Sequence, residues 1–135
     1  MTTIPESHRD LLTTRVAMLA TTGSDGYPQV TAIGFMLDDD DTIKVSLNTA
    51  RQKVKNLRTH PECTLFILDP ANPLRTLEIR ARAEIQLDDD FAFAARYSQR
   101  RGFDVRRMDR PGETRVVVTL RPVKVNATDL SRRSE

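Results

Sequence analysis

At 135 residues the chain fits one domain, residues 1–135, with 39% hydrophobic and 30% charged residues, a composition that excludes a disordered polymer. A formal net charge of +2 is too small to mark a nucleic-acid binder, and Cys63 as the single cysteine excludes an intramolecular disulfide and argues against a cysteine-held metal. No apolar run reaches the ~18 residues of a transmembrane helix and Met1 to Leu12 lacks a leader pattern, so no membrane partner and a cytoplasmic location are the expectations by elimination.

Pro5 to Leu12 reads as a short helix, with proline in its first turn. Arg15 to Thr22 follows as a strand with Val16, Met18 and Ala20 on one face. Gly23-Ser24-Asp25-Gly26 is a hairpin signal, because Asp-Gly supplies the positive φ of a tight turn. Pro28 to Leu37 is the return strand, Asp38 to Asp41 a polar turn, and Thr42 to Asn48 a third strand. Ala50 to His60 holds no Gly or Pro, carries Val54 and Leu57 at helical spacing, and is stopped by Pro61.

Cys63 to Leu68 is a β-rich run of the kind buried on both faces. Asp69 to Pro73 reads as a loop, since its two prolines disfavour pairing. Leu77, Ile79, Ala81, Ala83, Ile85 and Leu87 then alternate with polar positions, the pattern of a long strand with one face inward. Its length suits a curled barrel strand. Phe91 to Arg101 is a helix with acids before it and arginines at its end, which matches the helix dipole; Phe91, Ala94, Ala95 and Tyr97 form its expected buried face. Gly102 to Gly112 is a basic loop, and Thr114 to Val125 the last strand.

Catalytic and metal motifs are few. His8 and His60 have no second His or Cys at ligand spacing, so no metal site is expected, and there is no Gly-x-Ser-x-Gly elbow or glycine-rich phosphate loop. Asp38 to Asp41 lacks the Gly and Glu spacing of a calcium loop. The segment Asn48 to Arg58 is more informative. It runs from a strand end into a helix start, where free N–H groups attract anions. Arg51 and Lys53 oppose the helix dipole there unless an anion joins them. From the residues alone, an anion site and a solvated basic face stand side by side.

Three segments carry a resemblance: Val16 to Thr22, Asp25-Gly26-Tyr27-Pro28-Gln29-Val30-Thr31, and Arg51-Gln52-Lys53-Val54-Lys55-Asn56-Leu57-Arg58 with the His60-Pro61 stop. The chain resembles the pyridoxamine phosphate oxidase-like superfamily, most of all its actinobacterial branch that uses the deazaflavin coenzyme F420. The likeness spans Leu11 to about Leu120.

It implies a mostly β fold with short helices: a split β-barrel of six or so antiparallel strands that works as a homodimer. It also implies F420, or alternatively FMN, as cofactor, hydride transfer to a small molecule, and no obligatory side-chain acid or base. In the family the second strand lines the ring system, here Gln29, Thr31, Ala32 and Ile33. Leu47, Asn48 and Arg51 approach the phosphate and its linker. Lys53 matches the phosphate lysine, Asn56 stands one turn later, and Thr76 of a neighbouring subunit faces the cofactor. Relatives commonly carry Glu-Gly where this chain has Arg80-Ala81. Together Arg75, Arg80 and Arg82 add positive charge that suits an acidic polyglutamate tail. The resemblance also leaves room for a cofactor carrier without turnover, or a haem-binding relative. A nucleic-acid partner is not expected, because Arg106 to Arg110 lacks interleaved aromatics; that loop is expected near the site mouth or the dimer edge.

Overall fold

The computed structural model describes residues 2–132. A seven-stranded antiparallel sheet curls around one apolar core, in the order β2-β1-β5-β6-β7-β4-β3. The strands are β1 (Val16–Thr22), β2 (Pro28–Gly34), β3 (Met36–Leu37), β4 (Ile43–Asn48), β5 (Glu62–Asp69), β6 (Asn72–Leu87) and β7 (Arg115–Asp129). Helix α1 (Gln52–Thr59) links β4 to β5, and α2 (Ala92–Arg101) lies between β6 and β7. The first helix of the chain is a 3-10 helix, Glu6–Thr13.

Local chemistry sets these elements. Gly26 takes φ 83° in the hairpin between β1 and β2, as its Asp-Gly turn requires. Ala17 and Leu19 point inward from β1, so Val16 and Met18 occupy the outer face. Leu77, Ile79, Ala81 and Ala83 bury their side of β6 as the alternation predicts, while Leu87 runs out into solvent.

Four expectations are corrected. The return strand after the first hairpin is not continuous to Leu37. It breaks at the fully buried Phe35, and Met36–Leu37 pairs with β4 instead of β1. That corner joins the two ends of the sheet, so the barrel closes below Phe35 and stays open above it. Second, β5 is buried on one face only: Leu65 and Ile67 point into the core, whereas Phe66 and Leu68 lie on the outer side.

Third, of Asp69 to Pro73 only Pro70 and Ala71 form a turn. Pairing resumes at Asn72, and Pro73 sits in a bulge where its missing N–H removes no ladder bond. Fourth, α2 buries Phe93, Ala94 and Tyr97 rather than Phe91 or Ala95. Asp90 and Phe91 both take left-handed backbone angles, which rotates Phe91 out of the helical register. Asp88 caps the helix, its carboxylate accepting the N–H groups of Phe93 and Ala94 at 2.9 Å each.

The aspartate turn is also more than polar filler. Asp38 is buried and ion-paired to Lys44 at 2.7 Å and Arg96 at 2.7 Å, which ties the β3–β4 hairpin to α2.

Candidate functional site

The opening above Phe35 is where β2 and β4 approach each other without pairing. Each strand there has a free edge, so main-chain donors and acceptors face the gap. An open cleft of about 350 Å³ fills it. Ala32, Ile33 and Gly34 of β2 form one wall, and Ser46, Leu47 and Asn48 of β4 the other. Arg51 and Lys53 stand at its end, where β4 turns into α1. A smaller cleft of about 220 Å³ adjoins it, walled by Thr21, Gln29 and Thr31 together with the same two cations.

The α1 start leaves backbone donors and cations free. Asn48 Oδ1 accepts the Ala50 N–H at 2.8 Å, turning the chain, and Arg51 occupies the N-cap without any side-chain cap. Among the described residues the N–H groups of Gln52 and Lys53 find no acceptor. Nor do Arg51 and Lys53 find an ion-pair partner there. Burial, and then the charge of Arg51 beside it, holds the Lys53 ammonium below the ordinary lysine pKa. Two unpaired cations and two free N–H groups at one helix start make a site that a phosphate would complete.

By contrast, the arginines of β6 are already occupied. Arg75 pairs with Asp10 and Asp69, Arg80 with Glu78, and Arg82 with Glu62. The surplus positive charge expected at Arg75, Arg80 and Arg82 is therefore neutralised within the chain. Arg110, without an ion-pair partner among the described residues, lines a third cleft of about 440 Å³ with Arg51, Asn48, Met108 and the carboxylate of Glu113.

Ala32, Ile33, Leu47, Asn48, Arg51 and Lys53 thus share one cleft, and Gln29 and Thr31 line its neighbour. Asn56 sits behind the wall. It is buried, its Nδ2 donates to Thr21 Oγ1 at 3.0 Å and Gln29 Oε1 at 2.9 Å, and its Oδ1 accepts from Gln52 Nε2 at 3.0 Å. Its amide is spent on clamping α1 to β1 and β2. Thr76 lies on β6, in register with Leu68 and Thr128, and lines none of these clefts.

Two residues the sequence reading passed over organise the floor. Arg115, paired in register with Asn48, is buried and donates two hydrogen bonds to Asp109, from Nε at 2.9 Å and from Nη2 at 2.9 Å. It also donates to Ser46 Oγ at 3.1 Å and to the Val105 carbonyl at 2.8 Å. Asn48 Nδ2 reaches the same Asp109 at 2.9 Å and Glu113 at 3.2 Å. The Arg115 guanidinium lowers the Asp109 pKa, with burial opposing it. Together they hold the loop after α2 against the end of β4. Only the charge of Arg115 at a strand start hinted at this in sequence.

Comparison with known proteins bears on this geometry. The sequence pattern of the pyridoxamine 5'-phosphate oxidase family matches residues 4–129. Among solved structures, one named as an F420 reductase is 31% identical, with a TM-score of 0.79 over 91% of this chain and 98% of that one. A conserved hypothetical protein from Mycobacterium tuberculosis is 22% identical, with a TM-score of 0.72 over 98% and 91% of the two chains. A heme binding protein from Mycobacterium smegmatis is 19% identical, with a TM-score of 0.67 over 96% of this chain and 57% of that one. These last two likenesses concern the fold. No curated protein matches the sequence. No helix among the described residues is long and apolar enough to cross a membrane. With the family pattern spanning the barrel and the split, the chain belongs to the pyridoxamine 5'-phosphate oxidase family of split β-barrel proteins.

Proposed function

We propose that this chain is a coenzyme F420-dependent reductase. It would hold the cofactor phosphate with Arg51 and Lys53 and the ring in the split between β2 and β4. The observation that carries the reading is the pair of unpaired cations beside two free N–H groups, at the end of a cleft with main-chain edges on both walls. F420 rather than FMN is favoured by the likeness to the F420 reductase across nearly the whole of both chains. The cleft at Arg51 and Arg110 would extend past the phosphate position, where an acidic tail would meet these two cations beside Glu113.

When bound, the deazaflavin supplies hydride transfer to an electron-poor small molecule, and the protein's part is binding, orientation and exclusion of water. Arg51 and Lys53 neutralise the phosphate. The free edge of β2 offers donors and acceptors to the polar rim of the ring, while Ala32, Ile33 and Leu47 give it apolar contact. Gln29, fixed by Asn56, limits how far the ring can slide toward Thr21.

A homodimer completes this picture. Cross-strand register places Ala32, Met18 and Phe66 in one row on the outer face, with Val30 and Ala20 in the next. Met18, Val30 and Phe66 are exposed in the single chain. A contiguous apolar row of this kind is covered most simply by its own copy, and Thr76 would then reach the cofactor from the second subunit.

FMN is the second reading, favoured by the family to which the chain belongs. The test is anaerobic incubation of purified protein with reduced F420 and a panel of conjugated acceptors, followed through the deazaflavin absorbance. Acceptor-dependent oxidation is the expected result. Binding of F420 without oxidation by any acceptor would indicate a carrier, and a yellow protein as purified would move the assignment to FMN.

A further inference from the structure

The loop between α2 and β7 is fastened mainly by polar groups. None of residues 102–114 is buried, and two glycines in the left-handed region, Gly102 at φ 76° and Gly112 at φ 84°, stand near its ends. Its first part rests on the protein through Val105 and through Phe103, which lies edge-on to Tyr97. Its second part, from Arg106 to Glu113, has no such apolar seat. There the Arg106 guanidinium lies 3.3 Å from the centre of the Phe91 ring, Asp109 accepts from Arg115 and Asn48, and Glu113 accepts from Asn48. The amides of Arg107, Asp109 and Glu113 bond within the loop, to the carbonyls of Asp104, Arg106 and Arg110. A segment with few apolar contacts and exposed internal hydrogen bonds opens at low cost.

Asn48 joins this loop to the α1 start with a single amide. Its Oδ1 accepts the Ala50 N–H at 2.8 Å, the bond that turns the chain toward Arg51. Its Nδ2 donates to Asp109 at 2.9 Å and to Glu113 at 3.2 Å. The residue is buried, so both ends of the amide depend on these partners and not on water. The loop also carries Arg110, which lines one cleft with Arg51. Neither arginine has an ion-pair partner among the described residues. Like charges on the two walls resist closure of that cleft, with Glu113 the one carboxylate in its lining; an anion that bridges both cations favours closure.

We infer that Asn48, Asp109 and Arg110 form a latch: an anion held at the α1 start fastens the loop, and the fastened loop tightens the hold on the anion. The two effects are equal in size, because coupling between binding and closure is reciprocal. The inference rests on the reading that a cofactor phosphate occupies that helix start. Asp109 is then a positioning residue. It strengthens anion binding through Asn48, although its own charge opposes the anion.

The test titrates inorganic pyrophosphate, F420 and FMN into the full chain and measures amide hydrogen exchange of residues 103–113 with and without saturating ligand. Wild type, Asp109→Ala, Glu113→Gln and Arg110→Ala are compared, together with their melting temperatures. In wild type the bound anion is expected to slow exchange in the loop by about 5-fold or more, the lower end of a typical coupling. Asp109→Ala removes a negative charge, so charge alone would make the anion bind more tightly. The latch predicts the opposite: affinity about 5-fold lower, with the loop exchanging fast in both states. Glu113→Gln also removes a negative charge but keeps an oxygen for Asn48 Nδ2, so its affinity holds or rises and its loop stays fastened. Arg110→Ala alters an exposed side chain, so it keeps the melting temperature and loses the slowing.

Loop exchange that ignores the bound anion overturns the inference, as does Asp109→Ala binding the anion as tightly as wild type or more so. Full slowing in Arg110→Ala overturns it too, and that arm decides alone should Asp109→Ala fail to fold. Binding of none of the three ligands sinks both this inference and the proposed function. Pyrophosphate binding that slows the loop, without F420 binding, sinks the proposed function alone. F420 oxidation with a loop that does not respond sinks the latch alone.

Discussion

Lys53 carries a proton that its surroundings make easier to lose than that of a solvated lysine, because burial and Arg51 both disfavour the charge. A bound phosphate reverses that balance, so binding requires the ammonium form and stabilises it. Affinity is therefore expected to be flat through neutral pH and to fall as pH rises through the lowered Lys53 value, beginning below the range of an ordinary lysine. Kd measured from neutral pH into the alkaline range checks this. FMN, a phosphate monoester, would add a second fall in acid near its own second pKa of about 6, whereas the phosphodiester of F420 would not. At this scale Arg51 and Lys53 were legible in the sequence because a cation at a helix start has a local cost that asks for an anion. Asn56 was legible as important but not in its role. Its partners Thr21 and Gln29 come from other strands, and only the fold reveals that its amide is spent before any ligand arrives. Arg115 and Asp109 were silent for the same reason: the β4–β7 pairing sets Arg115 beside Asn48, where both meet Asp109.

Among the elements, α2 and the β3–β4 hairpin are joined through one carboxylate. Asp38 has its pKa lowered, chiefly by Arg96 and next by Lys44, with burial working the other way. A carboxylate with a depressed folded pKa stabilises the fold above its unfolded value of 3.8 and loses that contribution as pH falls through the folded one. Asp38→Asn is therefore expected to cost about 1–2 kcal/mol at neutral pH, moderated because the Arg96 side of the pair is half in water. The melting curves of variant and wild type should converge in strong acid. Parallel curves across that range would show that Asp38 acts by shape and not by charge.

Element types were mostly readable, because alternation and turn chemistry are local. Long β6 showed itself in its two-residue period, and the first hairpin in Asp25-Gly26. The break at Phe35 was not readable. A buried aromatic inside a β-rich run looks like more strand, and what ends β2 is the need to cross to β4, a demand of the closed barrel. Pro73 misled in the other direction, since a bulge makes its missing N–H harmless.

The whole molecule follows from that one corner. Closure at Phe35 leaves the strand edges above it unpaired, and a protein that keeps unpaired edges must cover them or use them. Here β4 and β2 face a cleft ending in cations, while the outer rows through Met18 and Phe66 stay exposed, where the proposed second copy would sit. Met18→Glu is expected to split such a dimer, because it sets two charges into a twofold apolar contact, and sedimentation of variant against wild type reads the change. If both sediment as one chain, the outer face has another use and Thr76 leaves the site. Sheet order lay beyond the sequence, and the split entered only through family resemblance, since both depend on which distant strands pair.

The central claim is that Arg51 and Lys53 hold a cofactor phosphate at the end of the split. Titration of F420 and of FMN into wild type and Lys53→Ala, with melting temperatures recorded alongside, tests it most directly. The account predicts micromolar binding of at least one of the two to wild type and a loss of about tenfold or more in Lys53→Ala, the worth of a charge-assisted contact, with the melting temperature of the free protein not lowered. Binding of neither cofactor, or equal affinity in the two proteins, would contradict it.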